Sequence, residues 1–174
     1  MADGYTAYTP WIRSRGGETG KRPMWFAHHG GGSNSSHNQG DSTFKINLTA
    51  SPDVDRTSDF DESNSRFVVP ISGFYYVMYN VCIQHAGNRA TEDIGISIRK
   101  NNNVIVNYED HSANSRNDRT LFTNMCGCAI FLCAENDQIE LYCTPYNGYD
   151  VGDSSAFTIG TGARTNMTGF LLGY

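Results

Sequence analysis

Two polar segments of the chain hold the side chains best suited to recognition chemistry. "DHSANSRNDR" carries His111, Asn114, Arg116, Asn117, Asp118 and Arg119, and "YNGYDVGD" carries Tyr146, Asn147, Tyr149, Asp150 and Asp153. An aromatic ring can lie against the apolar face of a pyranose while Asn, Asp and Arg side chains meet its hydroxyls through paired hydrogen bonds. A guanidinium meets a carboxylate through two parallel hydrogen bonds, so the arginines suit an anionic sugar such as sialic acid. Solvated connections of the same composition merely keep a surface wet, and composition alone favours that plainer reading.

Other chemistry-bearing residues are less well placed. Five cysteines, Cys82, Cys126, Cys128, Cys133 and Cys143, leave at least one free or paired between chains. On a regular strand Cys126 and Cys128 share a face and Cys133 points the other way. They lack the two-residue spacer and the partner His of a structural zinc site, so they are expected to be small buried apolar side chains. His28 and His29 are adjacent and cannot share a strand face, and with His37 they are expected to be ordinary loop histidines. "DVDRTSDFDE" fails the calcium-loop template at its Gly and in its spacing, and reads as a solvated acidic loop. There is no Gly-x-Ser-x-Gly elbow, and "GETGK" lacks the earlier Gly and the following Ser or Thr of a phosphate loop. No enzyme is expected and no cofactor is required.

The elements that must position these residues are strands. Ten Tyr, nine Phe and eighteen Gly in 174 residues favour strands and turns over helices, in a chain of one-domain length. A net charge of −5 argues against nucleic-acid partners, which are drawn by clustered Lys and Arg. No apolar run approaches the roughly 20 residues that cross a bilayer. The stretch "MADGYTAYTPWIRSRGGETGKR" has no apolar centre of the kind a secretory signal needs, so none is visible in this chain.

Residues 1–24 read as an N-terminal arm and 25–174 as the domain. Within the domain, "MWFAHH", "TFKINLTA", "RFVVP", "FYYVMYNVCIQ", "EDIGISIRK" and the segment after "NNN" read as strands, followed by "TLFTNMCGCAIFLCA", "DQIELYC", "AFTIG" and "TGFLLGY". "PISG" marks a bend, "NNN" and "END" mark turns, and "HSANSRNDR" reads as a polar loop. Eight to ten strands without a helix point to an antiparallel sandwich.

Three of the strands, 74–83, 128–133 and 169–174, carry apolar residues on both parities, where a half-buried strand alternates apolar with polar. Phe74, Tyr75, Tyr76, Met78, Tyr79, Phe131, Phe170, Leu172 and Tyr174 therefore belong to the core or to a self-association surface. The simplest cover for a second apolar face is another copy of the chain. Tyrosine hydroxyls reaching water at the sheet rim are the alternative.

"FVVPISGFYYVMYNV" resembles the Phe-x-x-Pro-x-x-Gly-x-Tyr-x-Phe signature of the globular head of complement C1q, and "TGFLLGY" resembles its closing Ser-Gly-Phe-Leu-Leu strand. "ISIRKNNNVI" and "AIFLCAENDQIELYC" are similar to its two intervening strand-turn-strand units, with Asn136 in the place of the usual Gly. The resemblance implies a ten-stranded jelly roll of the C1q and tumour necrosis factor superfamily, assembled as a homotrimer and secreted. It implies a lectin-like, innate-immune recognition module, with a signalling ligand of the tumour necrosis factor type or a purely structural trimerisation module as rivals. Calcium at the loops or on the threefold axis is a further implication, with Asp110, Asp118, Asp150 and Asp153 as oxygen donors.

Overall fold

The computed structural model describes residues 22–30, 36–38, 42–48, 54–86, 90–114, 121–146, 156–160 and 162–173. In chain order they form β1 (Met24–His29), β2 (Ser36–Asn38), β3 (Phe44–Lys45), β4 (Val54–Asp55), β5 (Phe60–Asp61), a 3-10 turn (Glu62–Asn64), β6 (Arg66–Val68) and β7 (Gly73–Ala86). They continue as β8 (Ala90–Lys100), β9 (Asn103–Asn114), β10 (Leu121–Cys133), β11 (Gln138–Pro145), β12 (Ala156–Ile159) and β13 (Gly162–Gly173). Met24, assigned above to the arm, opens β1, and residues 1–21 lie outside the described residues.

Two antiparallel sheets result. In the seven-stranded sheet β7 is central: β10 runs along one side of it, and β13 followed by β12 along the other. β1 and β4 continue the sheet beyond β13, and β2 lies beyond β12. The six-stranded sheet runs β5-β6-β11-β8-β9, with β3 beside β11. Chain neighbours β10, β11 and β12 alternate between sheets, the arrangement expected of a jelly roll.

Local chemistry explains the turns. Asn101 and Asn102 both take left-handed backbone (φ 51° and 67°), as the two-residue hairpin between β8 and β9 requires. Asn136 does the same at φ 72°, so the Asn in the usual Gly position is accommodated. Asn101 also ties the two turns together: its amide donates to Asp137 at 2.6 Å and its side-chain oxygen accepts from the Gln138 N–H at 2.8 Å.

Asp137 closes this network by accepting from the Ala134 N–H at 2.8 Å and pairing with Lys100 at 3.5 Å. Burial opposes its ionisation, but the Ala134 N–H, the Asn101 amide and Lys100 outweigh it and hold the carboxyl below its usual range. A depressed folded-state pKa means stability that is present above the unfolded carboxylate pKa and lost as pH falls through the folded value. Asp137→Asn is therefore expected to cost about 1–2 kcal/mol at neutral pH and far less below about pH 3. Urea melts of both proteins at the two pH values check it.

The core joins the sheets through an aromatic trio. Trp25 of β1 stacks on Phe67 of β6 with centroids 3.8 Å apart and planes 9° apart, and Tyr75 of β7 lies against both at 6.4 and 6.1 Å. The Tyr75 hydroxyl donates to the Ile71 carbonyl at 2.9 Å, pinning the bend at Pro70. The motif that carries the resemblance thus has a packing role: Phe67 and Tyr75 build the trio, and Gly73 lets β7 pass close to the Gly173 carbonyl.

One expectation needs correcting. "HSANSRNDR" was expected to be a loop, but His111–Asn114 extend β9 and pair in register with β8, from Asp93↔His111 to Ala90↔Asn114. Polar side chains do not end a ladder that the backbone alone sustains, so alternation was a poor guide to where this strand stops.

Candidate functional site

The two sheets cover their outer faces differently. On the six-stranded sheet Glu140, nearly fully buried, pairs with the Lys45 ammonium and lies in register between Arg66 and Arg99. Arg99 in turn stacks over the Tyr142 ring at 4.4 Å. Charged and amphipathic side chains make that face compatible with water.

The seven-stranded sheet is different. Tyr75, Val77, Tyr79 and Val81 of β7 are fully buried, while Phe74 and Met78 of the opposite parity are exposed and Tyr76 is half-buried. Register assembles the rest of the face. Phe74 lies opposite Leu132, and Tyr76 lies between Ile130 on β10 and Phe170 on β13. The Tyr76 and Phe170 rings are 5.4 Å apart, and Met24 continues the row on β1. Ile130 is 62% exposed, Leu132 57%, Phe74 46% and Leu172 41%, which leaves apolar surface on the order of 500 Å² bare. That is near the top of the range for a lone soluble domain.

Along the strands the face changes character. The next row places Met78 between Cys128 and Thr168, and the row after it places Asn80 between Cys126 and Asn166, with His28 beyond. One end is apolar, the other sulfur and amide.

Of the nine residues assigned above to core or self-association, Tyr75 and Tyr79 belong to the core and Phe131 is partly buried against it. Phe74, Tyr76, Met78, Phe170 and Leu172 line the outer face, and Tyr174 lies outside the described residues. Ile130 and Leu132 were missed. Both parities of "AIFLC" are apolar, so only pairing with β7 shows which one faces out. The cysteines divide as strand geometry requires, but burial was wrong for two of the five: Cys82, Cys133 and Cys143 are buried, whereas Cys126 and Cys128 are exposed. Both fall on the outer parity of β10, the parity the opposite sheet does not cover. Burial raises the Cys133 thiol to about 11 and the Cys143 thiol further, which leaves both unreactive.

Among the expected ligand-binding residues, the Tyr146 ring lies across Gly95, so close that a Cβ there would stand 2.8 Å from it. His111 and Asn114 sit in β9, and Arg116, Asn117, Asp118, Arg119, Asn147, Tyr149, Asp150 and Asp153 lie outside the described residues. Ile94 is in register with Pro145 on one side and Asp110 on the other, so β9 and β11 finish at the same end of the six-stranded sheet. Among the described residues no three His, Cys, Asp or Glu side chains converge to hold a metal, and no helix is long and apolar enough to cross a membrane.

Neither protein-family models nor curated proteins match the sequence. Solved structures do match the fold. The globular domain of zebrafish complement 1qA superposes with a TM-score of 0.55 at 14% identity, covering 86% of this chain and 97% of that one. The Eiger tumour necrosis factor of S. frugiperda superposes with a TM-score of 0.62 at 8% identity, covering 87% and 92%. Two sheets, their strand order and these likenesses together give the chain a jelly-roll fold like those of the C1q globular domain and tumour necrosis factor.

Proposed function

We propose that this chain is a secreted, non-enzymatic recognition module that assembles as a homotrimer and binds glycans or another repeating extracellular ligand, in innate immunity. The observation that carries assembly is the bare apolar end of the seven-stranded sheet, around Phe74, Tyr76, Ile130, Leu132 and Phe170. A second copy hides such a surface with little polar desolvation beyond the Tyr76 hydroxyl. The threefold state follows from the resemblance to the C1q head.

The ligand reading rests on the Arg, Asn, Asp and Tyr side chains of the two polar segments, and on β9 and β11 finishing at one end of the six-stranded sheet. Three copies convert weak single-site affinity into avidity on a repeating surface. The fold likeness to Eiger tumour necrosis factor supports a rival, a signalling ligand that binds its receptor in the grooves between subunits. A module with no task beyond trimerisation is the third reading.

A glycan array probed with the native oligomer, with and without chelator, tests these. Glycan binding that falls at least tenfold in Arg116→Ala and Tyr149→Ala supports the lectin reading, and its loss on chelation assigns calcium to the loops. Glycan affinity unchanged in both variants removes the loops from recognition. No glycan binding together with receptor clustering on cells favours the signalling ligand, and no ligand of either kind favours the structural module.

A further inference from the structure

The sulfur-bearing end of the same sheet face adjoins the apolar rows and has chemistry that core packing does not use. Cys126 and Cys128 stand two residues apart on β10, both exposed and both on the outer parity. Free cysteine is among the most buried residue types, so two exposed thiols side by side need a reason. Directly opposite Cys128 is Met78, itself exposed. The Tyr76 hydroxyl donates to the Met78 thioether at 3.9 Å. Cys128 and Met78 thus stand side by side on neighbouring strands, with Cys126 two residues along the same face.

The two thiols are badly placed for a disulfide with each other. Residues two apart on a strand have Cα atoms about 6.8 Å apart with parallel side chains, at the limit a disulfide spans, and its Cβ atoms must approach to about 3.8 Å. A metal relaxes that demand. Two thiolates bound at about 2.3 Å each can remain about 4.5 Å apart, which side chains leaning together from one strand face can reach.

We infer that Cys126, Cys128 and Met78 form a binding site for a soft, low-coordinate cation, with monovalent copper the best match. Thiolate and thioether ligands select Cu(I), and the sulfur set supplies two or three donors. Zinc would need four ligands, and no His or carboxylate joins these sulfurs among the described residues. Binding displaces the two thiol protons to solvent and involves no change of oxidation state. All three sulfur ligands come from one chain.

The test is a competition titration of the metal-free protein with Cu(I) held by a chromogenic chelator under anaerobic conditions. One Cu(I) per chain is expected, with affinity at least a hundredfold above that of Cys126→Ser/Cys128→Ser and about tenfold above that of Met78→Leu. X-ray absorption should show a sulfur-only shell. Equal Cu(I) uptake by the double-serine variant, or a shell of nitrogen and oxygen, would overturn the site. So would failure of the wild type to take Cu(I) from the chelator. Sedimentation of the same samples reads assembly separately, so loss of the copper site and loss of the oligomer are distinguishable.

Discussion

Ile130→Asp/Leu132→Asp is expected to leave the chain as a particle of 19.2 kDa in sedimentation equilibrium, with the wild type expected at three times that mass. Both side chains are more than half exposed in the isolated chain, so the folded subunit loses little when they are replaced. In the proposed assembly they are covered, and burying an aliphatic side chain contributes about 1.5–3 kcal/mol. An aspartate there would also have to give up its hydration without a partner, which costs several kcal/mol more. The summed penalty exceeds about 5 kcal/mol per subunit, a change in association constant of more than a thousandfold. A thermal melt close to that of the wild-type subunit separates lost assembly from lost folding. A wild type that sediments as a single chain at working concentrations sinks the assembly reading. An oligomer that survives both aspartates moves its interface off this face.

Gly169→Ala is expected to be the most damaging single methyl group in the fold. The added Cβ would stand 2.6 Å from Trp25 Cζ2 and 2.8 Å from the Tyr76 carbonyl oxygen, closer than real Cβ contacts come. Neither neighbour can give way. The Trp25 ring is fully buried and stacked on Phe67, and the Tyr76 carbonyl belongs to the β7 backbone, paired with β13 at this level. A loss of about 3 kcal/mol or more follows, at the high end for overpacking. Trp25→Leu alone costs about 2–4 kcal/mol by leaving space in the core. In that background Gly169→Ala should cost no more than about half as much, because one of its two clashes is gone. Denaturant melts of the two single variants and the double variant measure this coupling, and strict additivity would show that Trp25 is not what Gly169 accommodates.

The same glycine shows how far the residues themselves lead. "TGFLLGY" was recognisable as a closing strand, and Phe67, Pro70, Gly73 and Tyr75 as a signature. Neither explains why Gly occupies position 169. Only the pairing Trp25↔Gly169 between β1 and β13, joining segments at opposite ends of the chain, supplies the ring that requires it. Turn chemistry was more local and more legible: Asn101, Asn102 and Asn136 occupy left-handed positions because short polar side chains tolerate them, whatever lies elsewhere. The polar segments were legible as polar connections, but that β9 and β11 finish at one end of one sheet depends on the register of β8 with both.

What the residues determined by themselves was the class of structure and the presence of a surplus. Period-two alternation, aromatic content and turn residues point to an antiparallel sandwich, and apolar residues on both parities of 74–83 and 128–133 point to a second face in need of cover. What they could not determine was which parity is which. A strand with two apolar faces has no local preference between them, so the choice falls to the opposite sheet. It buries Tyr75, Val77 and Tyr79 and leaves Phe74, Met78, Ile130 and Leu132 outside, and it places Cys126 and Cys128 on the open side with them. Each strand face is decided by contacts with residues far away in the chain, and such contacts exist only once the two sheets have closed on one another.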